Sequence, residues 1–426
     1  MNWIERDANV VWHGFTQMSC YGANGPLVVE RGEGHYLYDT EGNKYLDAIS
    51  SLWVTTLGHH VPELDQAIRD QLDRVAHTTM LGNGNRVVVE FAEALAAVVP
   101  LDAPHFVFAS DGAAAVEQAL KIAFQFWTNQ GVSGRTKYLA FGGAYHGDSV
   151  GSLSVGDGGF GTDIFDPLRF STIRAPGFDD PQCMTVAAAL IERHRHELAA
   201  IIVEPLVQGA AGVLHAPSAS FIALQEACTA HDVLLICDEV ATGFGRTGTL
   251  FASEQCGLRP DIMCLGKGIT GGYLPMSATA VSARVYDAFL GPDLSEKTFY
   301  HGHSYGGNAL AAAVALRHLQ LFQEWDVLAN VADRSAQLSE RITADVVGLA
   351  QVREVRQVGL MCAIEIDSPE SDPLWARRTA RAMTRLGVLA RSLGDNVILV
   401  PHLTTTANEI DMIADALVAG IAEACV

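Results

Sequence analysis

The stretch Leu-Leu-Ile-Cys-Asp-Glu-Val (234–240), taken with Pro-Asp-Ile-Met-Cys-Leu-Gly-Lys-Gly (260–268), decides the fold. Each is an apolar run that stops at a charged residue and is followed by glycine. Apolar runs of four to eight residues bounded by turn signals read as strands buried in a parallel sheet. Ligands of such sheets sit beyond the carboxyl ends of the strands. The first run delivers Asp238 there, and the second delivers Lys267. A lysine among apolar neighbours loses part of its preference for the ammonium form, and its neutral amine can form a Schiff base with an aldehyde. Pyridoxal phosphate needs such a lysine, and an acid facing its ring nitrogen. From these two segments alone, a surface ion pair explains the residues equally well.

The surroundings narrow the choice. A chain of 426 residues suggests two or three domains. A net charge of −21 argues against nucleic acid, which needs a basic face. The eight cysteines are scattered, with no C-x-x-C pair, as reduced thiols are in a cytosolic protein. The opening residues are no signal peptide, and no long apolar run suggests a membrane span, so a soluble cytoplasmic protein is expected.

Residues 28–47 read as a small antiparallel meander, with Trp53 where the chain leaves it, either core or pocket. Helical periodicity follows at 61–76 and 87–99. The strand 106–110 passes through Asp111-Gly112-Ala113 into a helix, and such a helix N-terminus suits an anion. Asp111 is awkward directly against a phosphate and could cap the helix instead. The strand 137–141 ends near Tyr145-His146, where an aromatic ring could lie flat on a planar cofactor or simply pack. A helix over 185–198, a strand over 199–203 ending at Glu204, and a helix over 218–231 lead into the Asp238 strand. This alternation predicts a mostly parallel sheet with right-handed crossovers.

Gly243-Phe-Gly-Arg-Thr-Gly248 matches a dinucleotide pattern literally, yet no helix opens from it. A glycine-rich loop with Arg246 pinned by an acid fits better. His301 and His303, like His194 and His196, lack the spaced partners of a zinc site, and no metal is assigned. From about 325 helices and strands mix, with a short strand over 387–391 ending at Arg391. Such an arginine is a fork for a carboxylate, or a surface ion pair.

With these residues in view, the chain resembles the class III, fold type I pyridoxal-phosphate aminotransferases over essentially its whole length. The motifs are Asp238-Glu239-Val240 with Gly243-Phe244-Gly245-Arg246-Thr247-Gly248, and Pro260-Asp261 ahead of Gly266-Lys267-Gly268. The resemblance implies an α/β fold: a large domain (61–324) with a mostly parallel sheet, and a small α+β domain from both termini (1–60 and 325–426). It implies a homodimer with shared active sites. Lys267 would hold pyridoxal 5'-phosphate and move the proton, and Asp238 would pair with the ring nitrogen. Tyr145 and Val240 would cover the two ring faces. Asp111, Gly112 and Ala113 would bind phosphate, with Ser304 reaching it from the partner subunit. His146, Glu204 and Gln208 would lie near the cofactor.

Phe15, Trp53 and Arg391 would meet substrate, Arg391 through a carboxylate. The stretches 12–18, 50–53, 144–148 and 387–394 resemble members that aminate a keto acid with a distant carboxylate. The phosphate turn departs from the usual Ser-Gly-Ser. Phe15, Leu52 and Ile398 replace aromatic residues of adenosylmethionine-using members and resemble a subgroup that takes its amino group from lysine. An amine or ω-amino acid:pyruvate transaminase is the rival within the family. A non-catalytic or nicotinamide-binding α/β protein is the rival outside it.

Overall fold

The computed structural model describes residues 2–157, 161–369 and 371–424, so Cys425 lies outside the described residues. Among these, seven strands form the central sheet. Their spatial order is His105–Ala109, Ser277–Val281, Ile262–Leu265, Leu234–Asp238, Leu198–Val203, Lys137–Phe141, Ile173–Ala175. Neighbours from Ile262–Leu265 to Ile173–Ala175 pair in parallel. Ser277–Val281 runs antiparallel to both its neighbours, so His105–Ala109 points the same way as the parallel set.

The central strands Leu198–Val203 and Leu234–Asp238 are apolar up to their carboxyl ends because both faces are covered. Leu235, Cys237, Ile201 and Val203 enter one buried cluster, and Leu234, Ile236, Ala200 and Ile202 enter another. That is the two-residue period of a strand with helices on either side. Each such large side chain contributes roughly 1.5–3 kcal/mol by burial. The strands are therefore rigid, and so are the platforms their carboxyl ends offer to the loops beyond.

The meander Val29–Glu33, Tyr36–Asp39, Lys44–Asp47 is extended by Val388–Leu389, which pairs in parallel with its last strand. Segments near the two ends of the chain thus share one sheet. A further antiparallel sheet contains Val352–Val358, Met361–Ile366, Asn396–Leu399 and Arg391–Leu393.

The single strand expected over 387–391 is in fact two short ones. Val388–Leu389 serves the meander, whereas Arg391–Leu393 opens a hairpin with Asn396–Leu399. Gly387 (φ 84) and Gly394 (φ 54) take left-handed conformations on either side. Arg391 therefore begins a strand instead of ending one. Nothing in the local sequence marks the change of sheet at Ala390. The helix expected over 185–198 is Cys183–His194, because Leu198 already belongs to the next strand.

Candidate active site

The parallel strands bring five stretches to one edge of the sheet. Asp238 is the last residue of its strand, and Glu204 directly follows Val203. Asp111-Gly112-Ala113 follow His105–Ala109, Tyr145-His146 follow Lys137–Phe141, and Lys267 follows Ile262–Leu265.

Asp238 is buried, and His146 Nδ1 donates to its Oδ2 at 2.6 Å. Its Oδ1 accepts the Val240 N–H at 3.0 Å. A carboxylate offers about four lone-pair sites, so this one keeps acceptor capacity for another N–H. Glu239 points the other way and accepts from Thr242 Oγ1 at 2.6 Å and the Ser253 N–H at 2.7 Å. The strand alternation separates the two adjacent acids, one to the site and one to the loop interior.

Val240 leans on glycine. A Cβ built on Gly112 would lie 2.6 Å from Val240 Cγ1, and one on Gly266 would lie 3.2 Å from it. The turn after the first strand can therefore approach only as glycine. Asp111 caps the helix Gly112–Asn129, its Oδ1 accepting the Ala114 N–H at 2.9 Å. The first-turn amides of Gly112 and Ala113 have no intrahelical acceptor, which is the arrangement that attracts a phosphate.

Lys267 sits in a left-handed conformation (φ 41). Burial pushes its amine below the usual lysine range, with Arg246 assisting and Asp238 and Glu204 opposing. Its Nζ lies 5.3 Å from the centre of the Trp53 ring. Trp53 is itself buried and closes over Gly209, where an added Cβ would be 2.9 Å from the indole. Glu204 accepts the Gly209 N–H at 3.2 Å and the Tyr145 N–H at 3.1 Å. Burial raises its carboxyl to about 7, with His146 lowering it and Asp238 raising it. Tyr145 is half-buried and donates its hydroxyl to Asp148 at 2.8 Å. Gln208 bridges the Gly142 carbonyl (2.8 Å) and the Phe178 N–H (3.2 Å).

The backbone before Trp53 is strained. Ser50 (φ 50), Ser51 (φ 62) and Trp53 (φ 65) are all left-handed without being glycine, at a cost on the order of 1–3 kcal/mol each.

Three of the expected residues lie outside this chain of contacts. Phe15 is exposed in the N-terminal segment, and Ser304 is exposed in the loop before Ala309–Glu324. Arg391 is exposed, and among the described residues no ion pair involves it. Two residues before it, the Leu389 carbonyl accepts the Ala48 N–H at 3.1 Å.

Among the described residues no ion pair involves Arg246. It is fully buried, and its guanidinium donates to the carbonyls of Pro401 (2.5 Å) and Thr55 (2.9 Å). Burial lowers it to about 9, Asp47 being the charge that opposes this. The glycine pattern around it forms turns followed only by the short helix Ala252–Gln255, not the long helix a dinucleotide site requires.

Sequence reasoning missed Gly209 and the buried group Asp47, His59 and His402, whose ligand-type atoms lie within 4.8 Å of one another. These residues are far apart in sequence, and nothing in their spacing joins them. The positive charge of Arg246 acts on the group and disfavours a bound cation there.

A buried amine, a carboxylate with spare acceptor capacity and a glycine turn at a helix N-terminus fit a phosphorylated aromatic aldehyde. The chain belongs to the class-III aminotransferase family, whose model matches residues 19–421. It is a pyridoxal-phosphate-dependent aminotransferase of fold type I.

It is 43% identical to the adenosylmethionine-8-amino-7-oxononanoate aminotransferase of Nitratidesulfovibrio vulgaris, over 95% of this chain and 79% of that protein. The crystal structure of the enzyme of that name from Methanocaldococcus jannaschii superposes with a TM-score of 0.95 at 38% identity, covering 99% of each chain. A PLP-bound amine transaminase from an uncultivated Pseudomonas species superposes with a TM-score of 0.91 at 35% identity, covering 97% of this chain and 99% of that one. No helix among the described residues is long and apolar enough to cross a membrane.

Proposed function

We propose that this aminotransferase makes 7,8-diaminopelargonate from 7-keto-8-aminopelargonate in biotin biosynthesis, with adenosylmethionine or lysine as amino donor. The observation that carries the reading is the near-complete superposition on the M. jannaschii enzyme, at a TM-score of 0.95. The likeness to an amine transaminase supports a second reading, amine:pyruvate transamination.

When bound, pyridoxal phosphate supplies the electron sink for the carbon that loses its proton. Lys267 Nζ, whose preference for the ammonium form burial weakens, would attach the cofactor and serve as the general acid and base for the proton shift. Asp238 holds the proton on the ring nitrogen, and His146 fixes the plane of that carboxylate. Tyr145 covers one ring face and Val240 the other. Asp111, Gly112 and Ala113 hold the phosphate, joined by Ser304 of the partner subunit in a homodimer. Trp53 walls the substrate space, Phe15 borders it, and Arg391 takes the substrate carboxylate.

We place the small domain in residues 1–60 and 325–426, the large one in 61–324, and the enzyme in the cytoplasm. Expression in a biotin-requiring host that lacks its own diaminopelargonate synthase tests the reading. Growth without biotin is expected. Failure to grow, with amine:pyruvate activity present in the same cells, overturns it.

A further inference from the structure

Asp47 is fully buried at the end of the meander, away from the cofactor groups. Its Oδ2 accepts the Ser51 N–H at 2.8 Å and faces His59 Nε2 at 2.9 Å, while its Oδ1 accepts the Ile49 N–H at 3.3 Å. The residues it grips are those of the left-handed turn that ends in Trp53.

Behind the turn, Ser50 Oγ donates to the Val400 carbonyl at 2.7 Å, and Arg246 holds the Thr55 carbonyl at 2.9 Å. Arg246 is also the buried cation for which Asp47 is the opposing charge. Asp47 thus anchors the entry of the turn and Arg246 its exit. At the far end of the turn the indole stands 5.3 Å from Lys267 Nζ.

We propose that Asp47 is a positioning residue for the aminotransferase reaction, holding the strained Ser50–Trp53 turn so that the indole stays against Lys267 as a wall of the substrate space. The proposal rests on the reading of Trp53 as that wall. Asp47 touches neither substrate nor cofactor; it acts through the Ser51 amide. A non-glycine left-handed turn relaxes when its anchor is removed, and Trp53 then swings from its seat on Gly209. Of the partners of Asp47, His59 is a half-buried neighbour that adds a second tie to the same carboxylate.

A double-mutant cycle tests this on the holoenzyme. Asp47→Asn and Trp53→Ala are each expected to raise KM for the keto acid about tenfold, with kcat changed less than about twofold. The double variant is expected to be no more than about twofold worse than Trp53→Ala alone, because both changes remove one function. Multiplicative effects overturn the proposal, since they make Asp47 an independent structural residue. If Trp53→Ala leaves KM unchanged, the wall reading fails and the proposal fails with it. If Trp53→Ala raises KM and Asp47→Asn does not, the positioning role alone fails.

Should Asp47→Asn not fold, Asp47→Glu is measured in its place. It keeps the charge but displaces the carboxylate from the Ser51 amide, so the same pattern is expected. A second readout needs no activity. In cofactor-free protein, the fluorescence lost on Trp53→Phe reports Trp53, and its emission is expected to shift to the red in the Asp47 variant. An unshifted emission overturns the proposal.

Discussion

His146 Nδ1 meets Asp238 Oδ2 at 2.6 Å in a buried setting, with no partner among the described residues on the opposite ring nitrogen. The imidazole is therefore spent on orienting one carboxylate. Hydrogen bonds to charged groups contribute about 1.5–3 kcal/mol. His146→Leu is expected to weaken pyridoxal-phosphate retention by roughly 10- to 100-fold. Dialysis followed by titration of the cofactor back into the protein measures it. Unchanged affinity would show that Asp238 needs no such support.

Gly112 and Val240 make one of the close approaches in the site. Gly112→Ala places a methyl 2.6 Å from Val240 Cγ1, a separation no carbon pair tolerates. Loss of cofactor binding is expected, with substantial recovery in Gly112→Ala/Val240→Ala, where the clashing methyls are gone. Equal loss in both variants would mean that the glycine serves backbone freedom and not the approach.

Glu204 gives a pH signature. Burial raises its folded-state carboxyl to about 7 from 4.5, so between these values the folded chain binds the proton that the unfolded chain releases. Stability from this group therefore declines as pH rises from about 4.5 to 7, by up to about 3 kcal/mol. Denaturant unfolding of cofactor-free Glu204→Gln against the parent at pH 5 and pH 8 isolates the slope. The variant should lose less stability over that interval, and parallel pH profiles would contradict the assignment.

Arg391 is exposed and has no ion-pair partner among the described residues, as suits a group awaiting a carboxylate. Arg391→Ala is expected to raise KM for the keto acid by on the order of 10- to 100-fold, the loss of a charge-assisted pair. A carboxylate-free amine donor should be nearly unaffected. The same increase for both substrates would remove Arg391 from substrate binding.

The strands that lead to Asp238 and Lys267 were legible because their doubly covered apolar runs stop at or just before a charged residue. Tyr145, Glu204 and Gly112 emerged from the same strand–turn–helix rhythm. The features that the sequence concealed depend on contacts between distant segments. The seating of Trp53 on Gly209 joins two segments far apart in sequence, and that of Asp47 beside His402 joins segments near the two ends of the chain. The split of 387–393 between two sheets was invisible for a related reason, since only strand pairing separates the two halves. Arg246 looked like an ion-pair residue because an arginine's usual partner is an acid, whereas here two backbone carbonyls fill that role.

The central claim is tested most directly by a half-reaction. Enzyme carrying pyridoxal phosphate is mixed separately with 7,8-diaminopelargonate, adenosylmethionine, lysine and 1-phenylethylamine, and the visible absorbance of the Lys267-bound cofactor is followed, with Lys267→Ala as control. The account predicts rapid bleaching by diaminopelargonate and by either adenosylmethionine or lysine, and none of these changes in Lys267→Ala. Bleaching by 1-phenylethylamine alone would contradict it and establish a general amine transaminase.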